Sequence, residues 1–384
     1  MKFTQYDSYV YLYILIVTLI PAVILGCMGK KIKYYGLFIS FFMSVLIIGI
    51  EAKSLLLFST FIIGEVILIM LYCKIRANND SKIIYRVVLL LSMCPVIILK
   101  ISSIMPIGPI GFVGLSYLNF KVMQVIIEIY DGIIKEVRFI DVLYFLIFFP
   151  TLSTGPIDRS RRFDADSNLK VEGKVYVEEY LAPAITKIIM GIGYKFVIAY
   201  LIHTYWMDNI ASDITFLNAL SYMYAYSLYL FFDFSGYSYF AVGTSYILGV
   251  KTPDNFNMPF ISKDMKEFWT RWHISLSKWF GDFLYSRILL ESVRKKRFKN
   301  RFRASHFAQM ITMLVMGLWH GFTVFYIIYG LYQGAALVLT DIYQRKSKFY
   351  KKHKKEKWFQ YIQIVINFNV ACFGLLLFSG YLFK

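Results

Sequence analysis

Two histidines in apolar surroundings are the residues of this sequence best suited to chemistry. His320 lies inside an apolar run and follows Trp319, while His273 follows Trp272 earlier in the chain. The sequence holds only five histidines in 384 residues, so a pair in such settings is unusual. An imidazole at membrane depth is expensive, and intramembrane ionisable groups usually face a bundle interior or a wet cavity. The two histidines therefore predict a reaction that takes place inside a bilayer.

His320 has the properties of a general base. Transfer of a charged imidazolium into apolar surroundings is unfavourable, so we expect this side chain to be neutral at pH 7. A neutral imidazole can accept the proton of a hydroxyl acceptor. Gly317 and Gly321 flank it and would let a backbone or a narrow ligand approach closely. The alternative is a histidine packed at the end of a helix, with no part in a reaction.

The stretch 262–285 has the pattern of one amphipathic helix that carries His273. Ser262 or Asp264 can cap its first turn. Apolar side chains recur at helical spacing and form one face: Phe268, Trp272, Leu276, Trp279 and Phe283. The tryptophans indicate that this helix lies in or dips into the membrane interface. His273 falls on the buried side, where a catalytic role and a hydrogen bond inside a helix bundle are both open.

Asp233 and Ser235 are polar residues in a strongly apolar stretch. Asp233 could orient a histidine or a helix end, and a purely structural pair is equally consistent with its position. Ser235 superficially resembles a nucleophile, but the sequence lacks a Gly-x-Ser-x-Gly pattern and a cysteine–histidine signature. The four cysteines are scattered, without Cys-x-x-Cys spacing, and are typical of small buried apolar residues. We therefore predict neither a covalent nucleophile on the chain nor a metal site.

The composition is that of an integral membrane protein. Hydrophobic residues make up 58% of the chain and charged residues 17%, whereas soluble domains have about 25% charged residues. Apolar runs of about 17 to 25 residues, the length that a bilayer requires, recur along the chain. A net charge of +18 could indicate nucleic-acid binding. We exclude that class because the basic residues cluster in short loops between apolar segments, as cytoplasmic loops do.

The apolar segments predict about eleven membrane spans in a single domain over residues 1–384. The segments 139–153 and 236–250 are bounded by Gly and Pro and are expected to be half-helices or re-entrant. The full set of predicted segments is 9–25, 35–50, 54–73, 83–104, 113–130, 139–153, 179–202, 216–234, 236–250, 306–322, 323–343 and 359–382.

Basic loops predict the orientation of the chain. Lysines and arginines concentrate at 30–33, 74–86, 294–303 and 346–357. Loops rich in Lys and Arg stay in the cytoplasm, so the amino terminus is expected outside the cell membrane. The arginines within 159–162 fit this alternation poorly, which also suggests a re-entrant element before them.

A basic run follows an apolar stretch near residue 290. Ile288, Leu289 and Leu290 precede it, and seven Lys or Arg lie between Arg294 and Arg303. One interpretation is a solvated loop that reaches lipid phosphates. The other is a docking surface for an acidic carrier protein, in which an apolar knob adjoins a basic face. The residues alone favour the lipid-facing loop.

These motifs together resemble the membrane-bound O-acyltransferase (MBOAT) family. The resemblance is detailed over roughly residues 105–340 and extends elsewhere in hydropathy. The strings at 155–159 (GPIDR) and 251–257 (KTPDNFN) are similar to the branch that serves teichoic-acid D-alanylation rather than to the polysaccharide O-acetylase branch. The matching stretches are 149–159, 161–163, 231–238, 243–246, 251–257, 259–260, 268–273 and 319–321.

The resemblance implies a donor, an acceptor and a set of partners. The donor is D-alanine held as a thioester on the phosphopantetheine arm of a small acidic carrier protein, DltC, and the chain itself binds no cofactor. The acceptor is teichoic acid on the outer side, and DltD and the small membrane peptide DltX are further partners. The carrier-docking site falls near Ile288, Leu289 and Leu290, with Arg294 and Lys295 beside it. The sequence departs from the family at Gly281, where an arginine is usual.

The resemblance also implies an all-α, MBOAT-like ring of helices around a central tunnel, with amphipathic and re-entrant helices. The two family histidines fall on His273 and His320, of which His320 is the expected base. The other residues expected in the tunnel, or orienting the histidines, are Asp233, Ser235, Trp272 and Trp319. Two alternatives stay open: an O-acetylase of an exported polysaccharide that uses the same histidines, and a transporter or flippase without chemistry.

Overall fold

The fold is built from helices joined by turns and loops. The computed structural model describes residues 4–106, 108–211 and 213–383, and no strand occurs among them. The α-helices are α1 (Tyr9–Cys27), α2 (Lys33–Ile48), α3 (Ala52–Asn78), α4 (Lys82–Ser102), α5 (Leu115–Tyr130), α6 (Phe139–Ile147), α7 (Ser160–Asn168), α8 (Gly173–Asn209), α9 (Phe216–Ile247), α10 (Met265–Arg271), α11 (Ile274–Phe280), α12 (Ser286–Arg294), α13 (Arg301–His320), α14 (Val324–Lys346), α15 (Lys348–His353) and α16 (Lys357–Ser379).

Several helices depart from regular α geometry. The long run α8 contains π-helical segments at Val177–Leu181 and Gly193–Ala199. A further π segment, Gly281–Tyr285, joins α11 to α12. Single turns of 3₁₀ helix occur at Phe149–Thr151 and Pro259–Ile261. Segments of this kind often lie near functional sites.

Six helices of the described residues are long and apolar enough to cross a bilayer. They are α1, α3, α4, α8, α14 and α16, and α2 is a shorter apolar helix. The predictions of an all-α fold and of a multi-pass membrane protein are confirmed. The predicted number of about eleven spans, the helical ring and the central tunnel stay predictions.

The chain divides into two compact units. The first comprises the residues up to Gly191 together with Tyr237–Pro253, and the second comprises Ile192–Gly236 and Asp254–Lys384. Helix α9 contributes its first part to one unit and its last part to the other. All residues of the candidate site lie in the second unit. The prediction of a single domain over residues 1–384 stays a prediction.

The first unit encloses a buried polar cluster beneath the amino-terminal segment. The side-chain amide of Gln5 donates to the carbonyl oxygen of Phe149 at 2.8 Å, and its oxygen accepts from the hydroxyls of Ser153 and Tyr237, each at 2.7 Å. All of these residues are buried. The cluster satisfies the polar groups of the turn that follows α6 and holds that turn in place.

Helix α6 matches the predicted half-helix. It covers only nine residues before the 3₁₀ turn at Phe149–Thr151, a length of about 14 Å at 1.5 Å per residue. The arginines after it form ion pairs: Arg162 with Asp158 and Asp166, and Arg161 with Glu128 at 3.6 Å. These arginines therefore have acidic partners within the first unit, and the predicted re-entrant element before them stays a prediction.

The predicted break between 216–234 and 236–250 is wrong. Helix α9 is continuous over 32 residues, from Phe216 to Ile247. A glycine inside a helix costs only about 1 kcal/mol relative to alanine. Gly236 is such a glycine, and buried residues on the later part of α9, among them Phe240 and Ala241, hold the helix together across it.

Candidate active site

His273 lies at a sharp break between two short helices. Helix α10 ends at Arg271, helix α11 begins at Ile274, and His273 adopts φ 43° and ψ 54°. This left-handed conformation is uncommon for a residue with a side chain and persists where the surroundings enforce it. The prediction of one continuous amphipathic helix over 262–285 is therefore wrong. Its predicted cap is confirmed, since Asp264 accepts from the backbone N–H of Glu267 at 2.9 Å.

Asn255 holds the backbone after His273. Its carbonyl oxygen accepts from the N–H of Ile274 at 2.9 Å. Its side-chain oxygen accepts from the N–H of Ser275 at 3.2 Å and from the Ser275 hydroxyl at 2.6 Å. These bonds satisfy the first amides of α11 and fix the left-handed turn. The Asn255 amide nitrogen is buried and has no hydrogen-bond partner among the described residues, so it is a donor available to a ligand.

Aromatic rings enclose His273. Phe234 of α9 packs edge-on to the imidazole at 4.8 Å, and Phe256 lies at 6.5 Å. Trp272 stacks on Phe268 at 5.6 Å and contacts Phe256 at 5.2 Å. His273 is only 4% exposed. This burial, which penalises the charged form, lowers the pKa of His273 to about 3. The side chain is therefore a neutral imidazole at physiological pH.

His320 is the last residue of α13 and lies in a second aromatic cluster. Trp319 packs against the imidazole with a centroid distance of 4.6 Å, and Phe378 of α16 packs edge-on at 4.8 Å. Tyr326 and Tyr329 of α14 lie at 5.7 and 6.3 Å. Unlike His273, His320 is only half-buried. The position combines a fixed ring with access, as a catalytic base requires.

Glycines bring α13 and α14 into close contact beside His320. A Cβ on Gly317 would lie 2.3 Å from the Tyr326 carbonyl oxygen, and one on Gly330 would lie 2.7 Å from the Met313 carbonyl oxygen. The close approach predicted for Gly317 is thus made by the backbone of α14. Gly321 likewise faces the Tyr326 ring, 2.8 Å from where its Cβ would stand. The glycines set the position of His320 through helix packing.

Asp233 and Ser235 differ in how their polar groups are satisfied. Asp233 forms an ion pair with Lys195 of α8, with Nζ and Oδ1 2.5 Å apart. This contact corresponds to the structural pair that the sequence left open, and an orienting role stays a prediction. Ser235 is 1% exposed, and its hydroxyl has no hydrogen-bond partner among the described residues. It directly follows Phe234, the ring that packs on His273, and a role for Ser235 in a tunnel or in orienting a histidine stays a prediction.

A buried carboxylate joins the elements that carry the two histidines. Asp341 of α14 accepts from Lys266 of α10 at 2.5 Å, from Nε2 of His306 of α13 at 2.9 Å, and from Arg345 at 2.6 Å. A second link runs from the Gln344 amide of α14 to Asp264, at 2.7 Å. Neither this network nor the Asn255 clamp was predicted. Each joins positions far apart in sequence, so composition and spacing gave no signal for them.

A cavity of about 390 Å³ lies between α10, α11 and α13, and we call it the α10–α13 cavity. Its walls are mostly apolar, but Trp269 Nε1 and Gln309 Oε1 on them are buried without hydrogen-bond partners among the described residues. Tyr285 lines one part and Met316, one turn before His320, another. Gly281 also lines it and has no atom within 4 Å of a built Cβ, so the missing family arginine leaves open space there.

The predicted docking residues lie on α12 and just after it. Leu290 is 66% exposed, while Ile288 and Leu289 are half-buried. Val293, which was not predicted, is also exposed. Arg294 and Lys295 are exposed, and Lys295 pairs with Glu291 at 2.7 Å. Leu290 and Val293 lie three residues apart and form an exposed apolar face at the start of the basic run.

Residues 38–383 match the family model of the membrane-bound O-acyltransferases. The chain belongs to this family. It is 41% identical to a teichoic acid D-alanyltransferase of Bacillus subtilis, over 98% of both chains. It is 36% identical to a teichoic acid D-alanyltransferase of Streptococcus thermophilus, over 98% of this chain and 95% of the relative. A probable alginate O-acetylase of Pseudomonas syringae is 32% identical over 70% of this chain and 49% of its own length.

Family membership decides between an acyltransferase and a transporter, two of the classes that the sequence left open. The prediction of an acyltransferase is confirmed, and a transporter without chemistry is no longer needed as an explanation. The predicted resemblance to the D-alanylation (DltB) branch is also confirmed, because the relatives that bear that activity in their names match nearly the whole chain.

Proposed function

We propose that this chain transfers D-alanine from a carrier-bound thioester to an acceptor hydroxyl, on the route to teichoic acid. The observation that carries the proposal is the α10–α13 cavity, which reaches from Tyr285, one turn before Leu289, to Met316, one turn before His320. Neither histidine lines the cavity itself; Tyr285 leads to the face that would receive the carrier, and Met316 leads to the residue that would act as base. The names of the full-length relatives supply the acyl group and the acceptor class.

The cavity suits the phosphopantetheine arm of a carrier protein. Its volume of about 390 Å³ falls within the usual range for small-ligand sites, roughly 300–1,000 Å³. A pantetheine chain is extended and mostly apolar, and it carries amide groups along its length. The N–H of Trp269 and the side-chain oxygen of Gln309, both without partners among the described residues, supply one donor and one acceptor for such amides.

His320 acts as general base in the proposed reaction. The acceptor hydroxyl oxygen attacks the thioester carbonyl carbon while His320 takes the hydroxyl proton. The carbon–sulfur bond then breaks, and the departing sulfur receives that proton back as the thiol of the carrier. An ester of D-alanine and a free carrier thiol result, so atoms and charge balance. General base catalysis of this kind contributes about 10²- to 10⁴-fold.

His273 polarises or positions a reactant in the proposed reaction. A neutral imidazole has one N–H to donate and cannot serve as a strong acid near pH 7. Asn255, whose side-chain oxygen binds Ser275 two residues after His273, offers its unpartnered amide nitrogen as a further donor among the described residues. Donors held in a buried site stabilise negative charge that develops on a carbonyl oxygen. The fixed left-handed turn at His273 preserves this geometry during the reaction.

The proposed topology places the carrier in the cytoplasm and the acceptor outside. The basic run from Arg294 to Arg303 marks the cytoplasmic side by the positive-inside rule, and an acidic carrier would be attracted to it. The exposed Leu290 and Val293 would provide the apolar anchor. We further propose a cell-membrane location, an outside amino terminus, and DltC, DltD and DltX as partners by family resemblance.

Purified protein in liposomes tests the proposal. The donor is carrier protein loaded with radiolabelled D-alanine, and the readout is label transferred to an acceptor on the opposite face. We expect transfer that depends on the protein and that stops when the carrier is replaced by free D-alanyl pantetheine at equal concentration. Transfer of acetyl groups in preference to D-alanyl groups would instead support a polysaccharide O-acetylase.

A further inference from the structure

A cavity of about 500 Å³ lies between α14 and α16 in the second unit, and we call it the α14–α16 groove. Both helices are long and apolar enough to cross a bilayer. The lining residues extend over eleven residue steps of each helix, from Tyr332 to Tyr343 and from Phe359 to Val370. At about 1.5 Å per residue, this length is about 16 Å. The groove is therefore about as long as one half of the hydrocarbon core, which is about 15 Å.

The groove opens to the outer surface of the helices, and its walls are mostly apolar. Leu339 of α14 and Ile366 of α16 line it and are exposed. Ala335 and Ala336 also line it, and their short side chains leave room on the α14 wall. In a bilayer such a surface contacts acyl chains, which are as apolar as leucine. The groove thus offers an apolar path along one leaflet.

Lys263 lines the groove without a partner for its charge. The residue is half-buried, and its backbone N–H donates to the Glu267 carboxylate at 2.9 Å, but its ammonium group forms no ion pair with the described residues. The neighbouring Asp264 accepts from the Gln344 amide at 2.7 Å, so Lys263 lies near the end of the groove at which α14 finishes. A partly buried, unpaired charge is unfavourable, and an anion in the groove would pair with it.

Two neutral side chains add hydrogen-bond donors to the same groove. The Thr340 hydroxyl of α14 and the Gln363 amide of α16 have no hydrogen-bond partner among the described residues. Asp264 is the acidic residue among those that line the groove. Its two carboxylate oxygens already accept hydrogen bonds, from the N–H of Glu267 and from the amide of Gln344. The polar groups that remain free in the groove are therefore suited to an anion.

A basic run adjoins the same end of the groove. Seven lysines lie between Lys346 and Lys357, with Glu356 as the single acid, and all seven are exposed. Tyr350 of α15 lies within this run and lines the groove. The positive-inside rule places the run at the cytoplasmic surface, and the anionic lipids of that leaflet attract such segments. Charge and shape together favour an occupant with an anionic head and an apolar chain.

We propose that the α14–α16 groove binds one anionic phospholipid of the cytoplasmic leaflet. The phosphate pairs with the ammonium of Lys263 and accepts hydrogen bonds from Thr340 and Gln363. One acyl chain lies along the apolar walls towards Tyr332 and Val370. A membrane-spanning helix would extend through both leaflets, whereas the groove covers the length of one. This binding site is distinct from the acyl-transfer reaction proposed above and does not depend on it.

Native mass spectrometry of the full-length protein in detergent tests this proposal, with dioleoylphosphatidylglycerol as the anionic probe. We expect one molecule of it to bind about 10-fold or more tightly than dioleoylphosphatidylcholine, which has the same chains and no net charge. Glycerol phosphate, which lacks acyl chains, should not compete. Lys263→Gln should lower the affinity for phosphatidylglycerol about fivefold or more and leave that for phosphatidylcholine unchanged. Lys263→Arg, which keeps the charge, should retain the parental affinity.

Lys170→Gln is the matched control, because Lys170 is exposed, forms no ion pair with the described residues and lies outside the groove. It removes the same charge and should leave the affinity unchanged. Ala336→Phe fills the apolar wall and should lower the affinity for both lipids, and all variants should show the same monodisperse elution in detergent. Equal affinity for the two lipids, competition by glycerol phosphate, or an affinity for phosphatidylglycerol that Lys263→Gln leaves unchanged would each overturn the proposal.

Discussion

The carboxylate of Asp341 lies 2.5 Å from the ammonium group of Lys266. This ion pair joins α10, which leads into His273, to α14, which follows His320. The same carboxylate binds His306 of α13, so three elements around the two histidines meet at one group. Within the second unit, the positions of His273 and His320 therefore depend on a shared polar network.

Asp341→Asn should lower the rate of acyl transfer about 10-fold or more while leaving carrier affinity unchanged. The amide cannot neutralise Lys266 and Arg345, and small displacements of catalytic groups have large effects on rate. Unfolding free energy should fall by about 1–3 kcal/mol, so rates are measured well below the unfolding temperature. Glu179→Gln, which breaks the exposed pair with Lys251, is the control. An unchanged turnover number in Asp341→Asn would show that this network does not position the catalytic groups.

Asn255→Ala should release the turn that presents His273. The variant loses the two hydrogen bonds that the side-chain oxygen accepts from Ser275, at a cost of about 1–3 kcal/mol in unfolding free energy. The transfer rate should fall about 10-fold or more. Asn257→Ala is the matched control, because Asn257 is exposed and its hydrogen bonds with other described residues involve only its backbone. Equal behaviour of the two variants would argue against the clamp.

Stability should fall as the pH is lowered from about 6.5 towards 3. The pKa of His273 is about 3 in the folded protein, so the unfolded chain binds the extra proton first and acid favours unfolding. The expected slope is about 1.4 kcal/mol per pH unit in this window. His273→Gln should flatten the slope, measured by thermal unfolding in detergent. If His273→Gln kept the pH dependence of the parent protein, the low pKa of His273 would not be its cause.

Leu289 and Leu290 changed together to Asp should abolish carrier binding. The change removes apolar anchoring and places negative charge against an acidic partner, and anchors usually dominate affinity. Neutralising Arg294, Lys295 and Lys296 should weaken binding mainly at low salt, where charges are poorly screened. Calorimetry at two salt concentrations distinguishes these effects, with Leu169→Asp as an exposed control. Unchanged carrier affinity in the double variant would show that the carrier docks at another surface.

The sequence predicted the class of fold because spans follow from runs of apolar residues. It also located the Asp264 cap, since a helix cap depends on local pattern, while the roles of the two histidines stay predictions. The break at His273 escaped prediction because the apolar face of 262–285 is continuous in sequence, whereas the turn is enforced by Asn255 from a distant loop. The continuity of α9 was not predicted because Gly236 is a local helix breaker in the sequence. In the structure, packing around that glycine keeps the helix continuous.

The central claim is that His320 is the base of D-alanyl transfer. The direct measurement is the single-turnover rate of label transfer from loaded carrier to acceptor in liposomes that contain His320→Ala, compared with the parent and with His273→Ala. The account predicts a loss of at least about 100-fold for His320→Ala and a smaller loss for His273→Ala, with both variants folded and binding carrier. A parental rate in His320→Ala would contradict the account, and equal losses would contradict the division of roles between the two histidines.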